Sequence, residues 1–165
     1  MTSPLASAIM ALIRAEGGNP NRVCADSRKV LPGDIFLAYP GHASDGRHYI
    51  HDAIAKGAAA VLWEREGFEW NPVWQVANLP VDRQRWLVSD IAYAVCGRPS
   101  EQLWMVGVTG TNGKTSISQW VARALNSLGR RCAVVGTMGS GFPGRLSESL
   151  NTTPDAIVLQ QSLAS

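Results

Sequence analysis

The run Val106, Gly107, Val108, Thr109, Gly110, Thr111, Asn112, Gly113, Lys114, Thr115, Ser116 places two glycines, a lysine and several hydroxyls at the spacing that holds a nucleoside triphosphate. Glycines let the backbone come close to phosphates in conformations a Cβ forbids, so that successive N–H groups face negative oxygens. Lys114 brings a full positive charge to the β and γ phosphates. Thr115 offers a hydroxyl to Mg2+, and a helix starting here presents free N–H groups and the positive end of its dipole. The leading reading is phosphoryl chemistry.

The general pattern G-x-x-x-x-G-K-S/T puts its first glycine at position 108, where this chain has Val108. The loop is a variant led by Gly110, and the plain alternative is an ordinary glycine-rich turn. Such a loop must be held between a strand and a helix. Residues 103–108 predict a buried parallel strand. Ile117, Trp120, Val121, Ala124, Leu125 and Leu128 recur at helical spacing, with Gly129 as the stop.

With 165 residues, 45% hydrophobic and 17% charged, the chain can bury a core or two and reads as soluble, with no membrane insertion. A net charge of +2 and scattered arginines give no basic stripe, so no nucleic-acid partner is expected. The six tryptophans lie mostly among apolar residues and suggest packing rather than base stacking. Cys24, Cys96 and Cys132 are far apart and read as reduced thiols of a cytoplasmic protein. Residues 1–14 lack a secretion signal; Leu5, Ala8, Ile9, Leu12 and Ile13 mark a short amphipathic helix instead.

The remaining pattern predicts two α/β units. In the first, Val23 and Cys24 begin a short strand, residues 31–34 turn, and residues 35–38 form a second strand. Residues 41–47 form a polar loop, 49–56 a helix stopped by Gly57, 58–63 a strand, and 73–76 another strand. Trp86, Leu87, Ile91, Ala94 and Val95 give a helix ending at Gly97. Gly97, Arg98, Pro99 and Ser100 mark a boundary, dividing the chain into a domain over 1–98, able to fold alone, and the beginning of another over 99–165. The second has a strand at 131–135, a glycine-rich loop at 136–141 and a helix from near Asp155. It looks truncated, since a doubly wound nucleotide domain needs more strands.

Other candidate positions each have a plain structural alternative. Asp26, Ser27 and Arg28 place a carboxylate, a hydroxyl and a guanidinium after a strand, able to fix a polar ligand, and they equally suit a turn closed by an internal Asp26/Arg28 pair. Residues 41–48 can wrap a nucleobase and ribose, with Arg47 near a phosphate, or form a surface loop without ligand. His42, His48 and His51 lack the partners that would complete a metal site. At residues 151–154, Thr153 suits a helix cap and Pro154 the first helical position, and a capped helix start is also an anion site.

Together these segments resemble the Mur ligase family of bacterial cell-wall synthesis. Residues 109–115 match its ATP loop, which accounts for the missing first glycine. Asp26-Ser27-Arg28, Pro32-Gly33-Asp34-Ile35-Phe36, Gly41-His42, Asp45-Gly46-Arg47 and Tyr49-Ile50 look like its uridine-binding domain, and Gly136-Thr137 with Asn151-Thr152-Thr153-Pro154 resembles the substrate loop of members that add the third residue of the peptide. The resemblance implies a small α/β substrate-binding domain followed by a Rossmann-like ATP-binding central domain. It implies an ATP-dependent amide-bond ligase acting, through an acyl phosphate, on UDP-N-acetylmuramoyl-L-alanyl-D-glutamate and an amino acid. Meso-diaminopimelate is expected, with lysine left open. Gly110, Thr111, Asn112, Gly113, Lys114, Thr115 and Ser116 would bind ATP, with Lys114 on the outer phosphates and Thr115 on Mg2+. Ser27, His42, Ala43 and Ser44 would contact the uridine diphosphate, and Asn151, Thr152 and Thr153 the sugar or peptide. Ser116 stands where many members have threonine. No residue is assigned to the amine-binding half, and the segment alone is expected to be inactive. The competing readings are a non-catalytic uridine-nucleotide module, the related ligase that adds the terminal dipeptide, and a P-loop kinase or GTPase.

Overall fold

The computed structural model describes residues 22–41, 44–147 and 154–165, together with Pro4, Ala8, Ile9, Ala11 and Ala15, which are helical. Four parallel strands lie in sequential order: β1 (Val23–Cys24), β2 (Ile35–Ala38), β3 (Ala60–Glu64) and β4 (Ala77–Val81). Helix α1 (Ile50–Ala55) links β2 to β3, and α2 (Gln84–Val95) follows β4.

The inner strands read as unbroken apolar runs because both faces are covered. Ile35, Leu37, Ala60 and Leu62 point to one face, where Val88, Ile91, Ala92 and Val95 of α2 pack with Ile9 and Ile157. Phe36, Ala38, Val61 and Trp63 point to the other, against Ile50 and Ala53 of α1 and the aromatic residues of 65–76. In that loop Trp63 stacks on Trp70 at 5.7 Å, and Trp74 meets Trp70 edge-on at 5.1 Å. Only half of the tryptophans pack in this way: Trp86, Trp104 and Trp120 are exposed.

The strand expected at 73–76 begins later, at Ala77. Asn78 and Pro80 obscure it in the sequence, and Pro80 is tolerated because β4 is an edge strand. Trp86 does not belong to the buried face of α2, which runs through Gln84, Val88, Ile91 and Val95. The start of α2 is capped from a neighbouring strand: the buried Glu64 carboxylate accepts from Arg83 N at 2.9 Å and Gln84 N at 2.6 Å.

Arg47 corrects a sequence expectation. It is buried, with Nε and Nη2 on the Asp45 carboxylate (2.9 and 2.6 Å), Nη1 on the carbonyls of Glu64 and Glu66, and its plane over Phe68. A guanidinium so engaged is an internal tie and is not available to a phosphate.

Helix α3 (Lys114–Ser127) is followed by an antiparallel meander of β5 (Val134–Gly136), β6 (Gly139–Phe142) and β7 (Arg145–Ser147). The strand expected at 131–135 is therefore shifted, and the supposed glycine loop is part of a sheet. Gly141 permits this: its φ is +136°, and a Cβ there would lie 2.7 Å from the Arg145 carbonyl. Residues 104–109 have no strand partner among the described residues, and Trp104 is fully exposed. An apolar run becomes a strand only by pairing, so the expected buried strand at 103–108 is not formed here. The apolar stripe of α3 is likewise largely open, with Ala122 its one buried residue.

Helix α4 (Ala156–Ala164) is capped by Asp155, whose carboxylate accepts from Val158 N at 2.8 Å, rather than by Thr153. It packs on α2, buries Ile157 in the first sheet's core, and donates from Gln161 Nε2 to Val23 O at 2.8 Å. The first unit is thus completed by residues beyond 98. The mixed α/β class with a parallel sheet is as expected.

Replacing Arg47 with Met removes the side-chain bonds to Asp45 and to the carbonyls of Glu64 and Glu66, and should cost about 2–3 kcal/mol in urea unfolding. Trp86→Ala, on an exposed face, should stay within about 0.5 kcal/mol.

Candidate functional site

The P-loop opens α3 without a side-chain cap, and its first helical bond is Ile117 N to Gly113 O at 2.9 Å. The amides ahead of it lie outside the helical ladder, which leaves an N-terminus suited to an anion. Gly110 and Gly113 have φ of +145° and +79°, and a Cβ on either would meet no atom closer than 3.7 Å. Backbone conformation, not crowding by the protein, calls for glycine there, and the space above the loop is open.

Lys114 Nζ folds over the loop onto the carbonyls of Gly110 and Thr111 (3.3 Å to the latter). Thr115 is half-buried, and its Oγ1 is 3.1 Å from Oγ1 of Thr137 in the β5–β6 turn. Amides, an ammonium and hydroxyl oxygens fit a triphosphate carrying a hard divalent cation such as Mg2+, which prefers oxygen ligands. Among the described residues, no cluster of three or more His, Cys, Asp or Glu side chains could hold a metal. Beside Ser116 a cavity of about 400 Å³ opens between α3 and the meander, lined by Gln119, Trp120, Arg123, Met138 and Leu146.

The second candidate region lies at the carboxyl ends of β1 and β2, adjacent parallel strands. Loops following such ends are where open α/β sheets take ligands. After β1, Asp26 caps a 3-10 turn (Ser27–Lys29), accepting from Arg28 N at 3.0 Å, and its carboxylate takes two further bonds of 2.9 Å from the Arg28 side chain. The internal pair is therefore formed. These bonds hold the Asp26 carboxyl down at about 2.

Ser27 is buried, and Lys56 Nζ donates to its carbonyl at 2.9 Å, a tie the sequence reading did not single out. After β2, the loop is closed at its base by the Pro40–Asp45 bridge and by Gly41 N donating to Ser44 O at 2.9 Å. Asp45-Gly46-Arg47 repeats the turn of Asp26-Ser27-Arg28, with the arginine turned inward instead of outward. Ser44 is exposed beside it. The sheet thus brings Ser27 and Ser44 to one edge. His42, Ala43, Asn151, Thr152 and Thr153 lie outside the described residues.

Thr137 belongs to the Gly136-Thr137 pair that the sequence reading likened to a substrate loop, and its closeness to Thr115 was not foreseen. Glycines on either side gave it the look of a loop, and only the strand register carries it to Thr115. No described helix is long and apolar enough to cross a membrane.

Comparison with known proteins adds the following. Residues 21–94 match the Mur ligase family, catalytic domain, and residues 108–165 the Mur ligase middle domain. The chain is 52% identical over 155 residues to the UDP-N-acetylmuramoyl-L-alanyl-D-glutamate–2,6-diaminopimelate ligase of Chromobacterium violaceum, covering 93% of this chain and 31% of that one. It is 53% identical over 140 residues to the ligase of the same name from Nitrosomonas europaea, covering 85% and 27%. A solved structure of a ligase with this name superposes with a TM-score of 0.61 at 31% identity, covering 87% of this chain and 28% of the other. The chain thus spans about a third of the length of the curated relatives it matches.

Asp26 predicts an acid-sensitive contribution to stability. Its folded value of about 2 lies below the ordinary 3.8, so the contribution is complete above about pH 4 and lost as pH falls through 2. Urea unfolding should separate wild type from Asp26→Asn at pH 6, and the two should converge near pH 2.

Proposed function

The chain belongs to the Mur ligase family, and we propose that it carries the uridine-nucleotide and ATP sites of a cytoplasmic ligase of peptidoglycan synthesis. The full enzyme joins diaminopimelate to UDP-N-acetylmuramoyl-L-alanyl-D-glutamate. Identity above 50% running through both family segments carries this reading, since the P-loop by itself is shared by many nucleotide-binding proteins. The division into 1–98 and 99–165 is supported by the two family matches, which fall on either side of it.

In this reading the sheet edge that holds Ser27 and Ser44, with His42 and Ala43, takes the uridine diphosphate. Asn151, Thr152 and Thr153 meet the sugar or peptide. Gly110, Thr111, Asn112, Gly113 and Ser116 surround the phosphates with amides and a hydroxyl, Lys114 faces the outer phosphates, and Thr115 is a ligand for Mg2+. The cation, when bound, neutralises charge on the phosphates.

The chemistry needs activation because a free carboxylate is a poor electrophile. A substrate carboxylate oxygen attacks the γ phosphorus, and the bond to the ADP oxygen breaks. Lys114 offsets the charge that shifts toward the leaving group. The amine of the incoming amino acid then attacks the acyl carbon, phosphate departs with the C–O bond electrons, and the nitrogen loses a proton. Binding both partners in register converts this second step into an effectively unimolecular reaction.

Calorimetry on the chain tests the two sites separately. Lys114→Ala should weaken ATP binding by at least about tenfold and leave UDP binding unchanged. Equal, weak ATP binding by both proteins would favour a uridine-nucleotide module with a structural P-loop. A chain that binds no UDP, or that loses its UDP binding when saturated with ATP, would remove Ser27 and Ser44 from the site.

A further inference from the structure

Thr137 and Met138 form the two-residue turn between β5 and β6, where Gly136 pairs with Gly139 and Val135 with Ser140. Antiparallel pairing fixes the register of that turn, so the Thr137 hydroxyl is presented from a sheet and not from a free loop tip. It lies 3.1 Å from Oγ1 of Thr115, 22 positions earlier in the chain.

A threonine hydroxyl has one proton and two lone pairs. For Thr115 to give a lone pair to a divalent cation, its proton must be directed at another acceptor. The acceptor within hydrogen-bond reach is Thr137 Oγ1. Groups that orient a metal ligand in this way tune affinity without touching the metal.

We infer that Thr137 is a positioning residue for the P-loop hydroxyl: it accepts the Thr115 proton, fixes the direction of the remaining lone pairs, and thereby sets the Mg2+-dependent part of nucleotide affinity. This rests on the nucleotide reading above and adds to it a residue from outside the loop. It also assigns the meander a purpose, since a turn displaced by one residue would carry the hydroxyl away.

The experiment is calorimetric titration of the whole chain with ATP, once with Mg2+ and once with EDTA, for wild type, Thr137→Val and Thr137→Ser. Valine keeps the branched shape and removes the hydroxyl; serine keeps the hydroxyl. The valine variant should lose about tenfold of the affinity gained on adding Mg2+, with less than twofold change in EDTA, and serine should retain the gain. Thr137→Ala, which asks nothing of packing at this exposed position, should match valine, and all variants should unfold at the wild-type urea midpoint. A full Mg2+ gain in the valine and alanine variants would overturn the inference. Equal losses with and without Mg2+, unrescued by serine, would reduce Thr137 to a scaffold residue and overturn it too. If the unaltered chain binds no ATP under either condition, the nucleotide reading fails first and the inference with it, a result distinct because it appears without any substitution.

Discussion

A guanidinium taken out of water needs partners for its N–H donors, and Arg47 finds them for Nε, Nη1 and Nη2 where three segments meet. The Asp45 carboxylate takes one side of the fork, the carbonyls of Glu64 and Glu66 the other, and Phe68 covers a face. Hydrogen bonds from Arg47 in turn pull the Asp45 carboxyl below the usual carboxylate range. The loop after β2 is thereby locked to the end of β3. Glu64 extends the tie, since its carboxylate caps α2 while its carbonyl receives Arg47. One charged side chain thus links the loop that carries Ser44, the aromatic lid over one face of the sheet, and the helix that covers the other.

The same constraint explains why two segments of similar spelling behave differently. Asp26-Ser27-Arg28 and Asp45-Gly46-Arg47 form the same capped turn, but the Arg28 side chain stands in solvent, bonded to Asp26. Spelling alone conveys the turn and not the direction of the arginine. That depends on whether neighbouring backbone offers free carbonyls, as Glu64 and Glu66 do for Arg47.

Much of the first unit was legible in the sequence because its signals are local. Residues 35–38 are apolar without interruption, Gly57 and Gly97 stop helices, and the P-loop opens a helix as expected. What was not legible depends on partners distant in the chain. Residues 103–108 have the composition of a strand but, among the described residues, no neighbour to pair with, and β4 is a strand despite Pro80 because β3 supplies its ladder. The meander hid behind glycines whose positive φ serves sheet geometry. Of the candidate site, the P-loop was readable as a contiguous motif. Thr137 was noticed only as part of a substrate-loop resemblance, because its contact with Thr115 exists only once the β5–β6 turn has formed.

The bond from Gln161 to the carbonyl of Val23 joins residues 138 positions apart, and Ile157 fills part of the core beneath the first sheet. Such a contact is reached only after a long loop has closed, which makes it slow to form relative to neighbouring contacts. On a ribosome adding roughly 5–20 residues per second, β1 to α2 are made well before α4 exists. The face of the sheet nearest α2 must wait on the order of seconds for its last covering piece. Completion of the first sheet's core is therefore tied to synthesis of the segment that follows the P-loop.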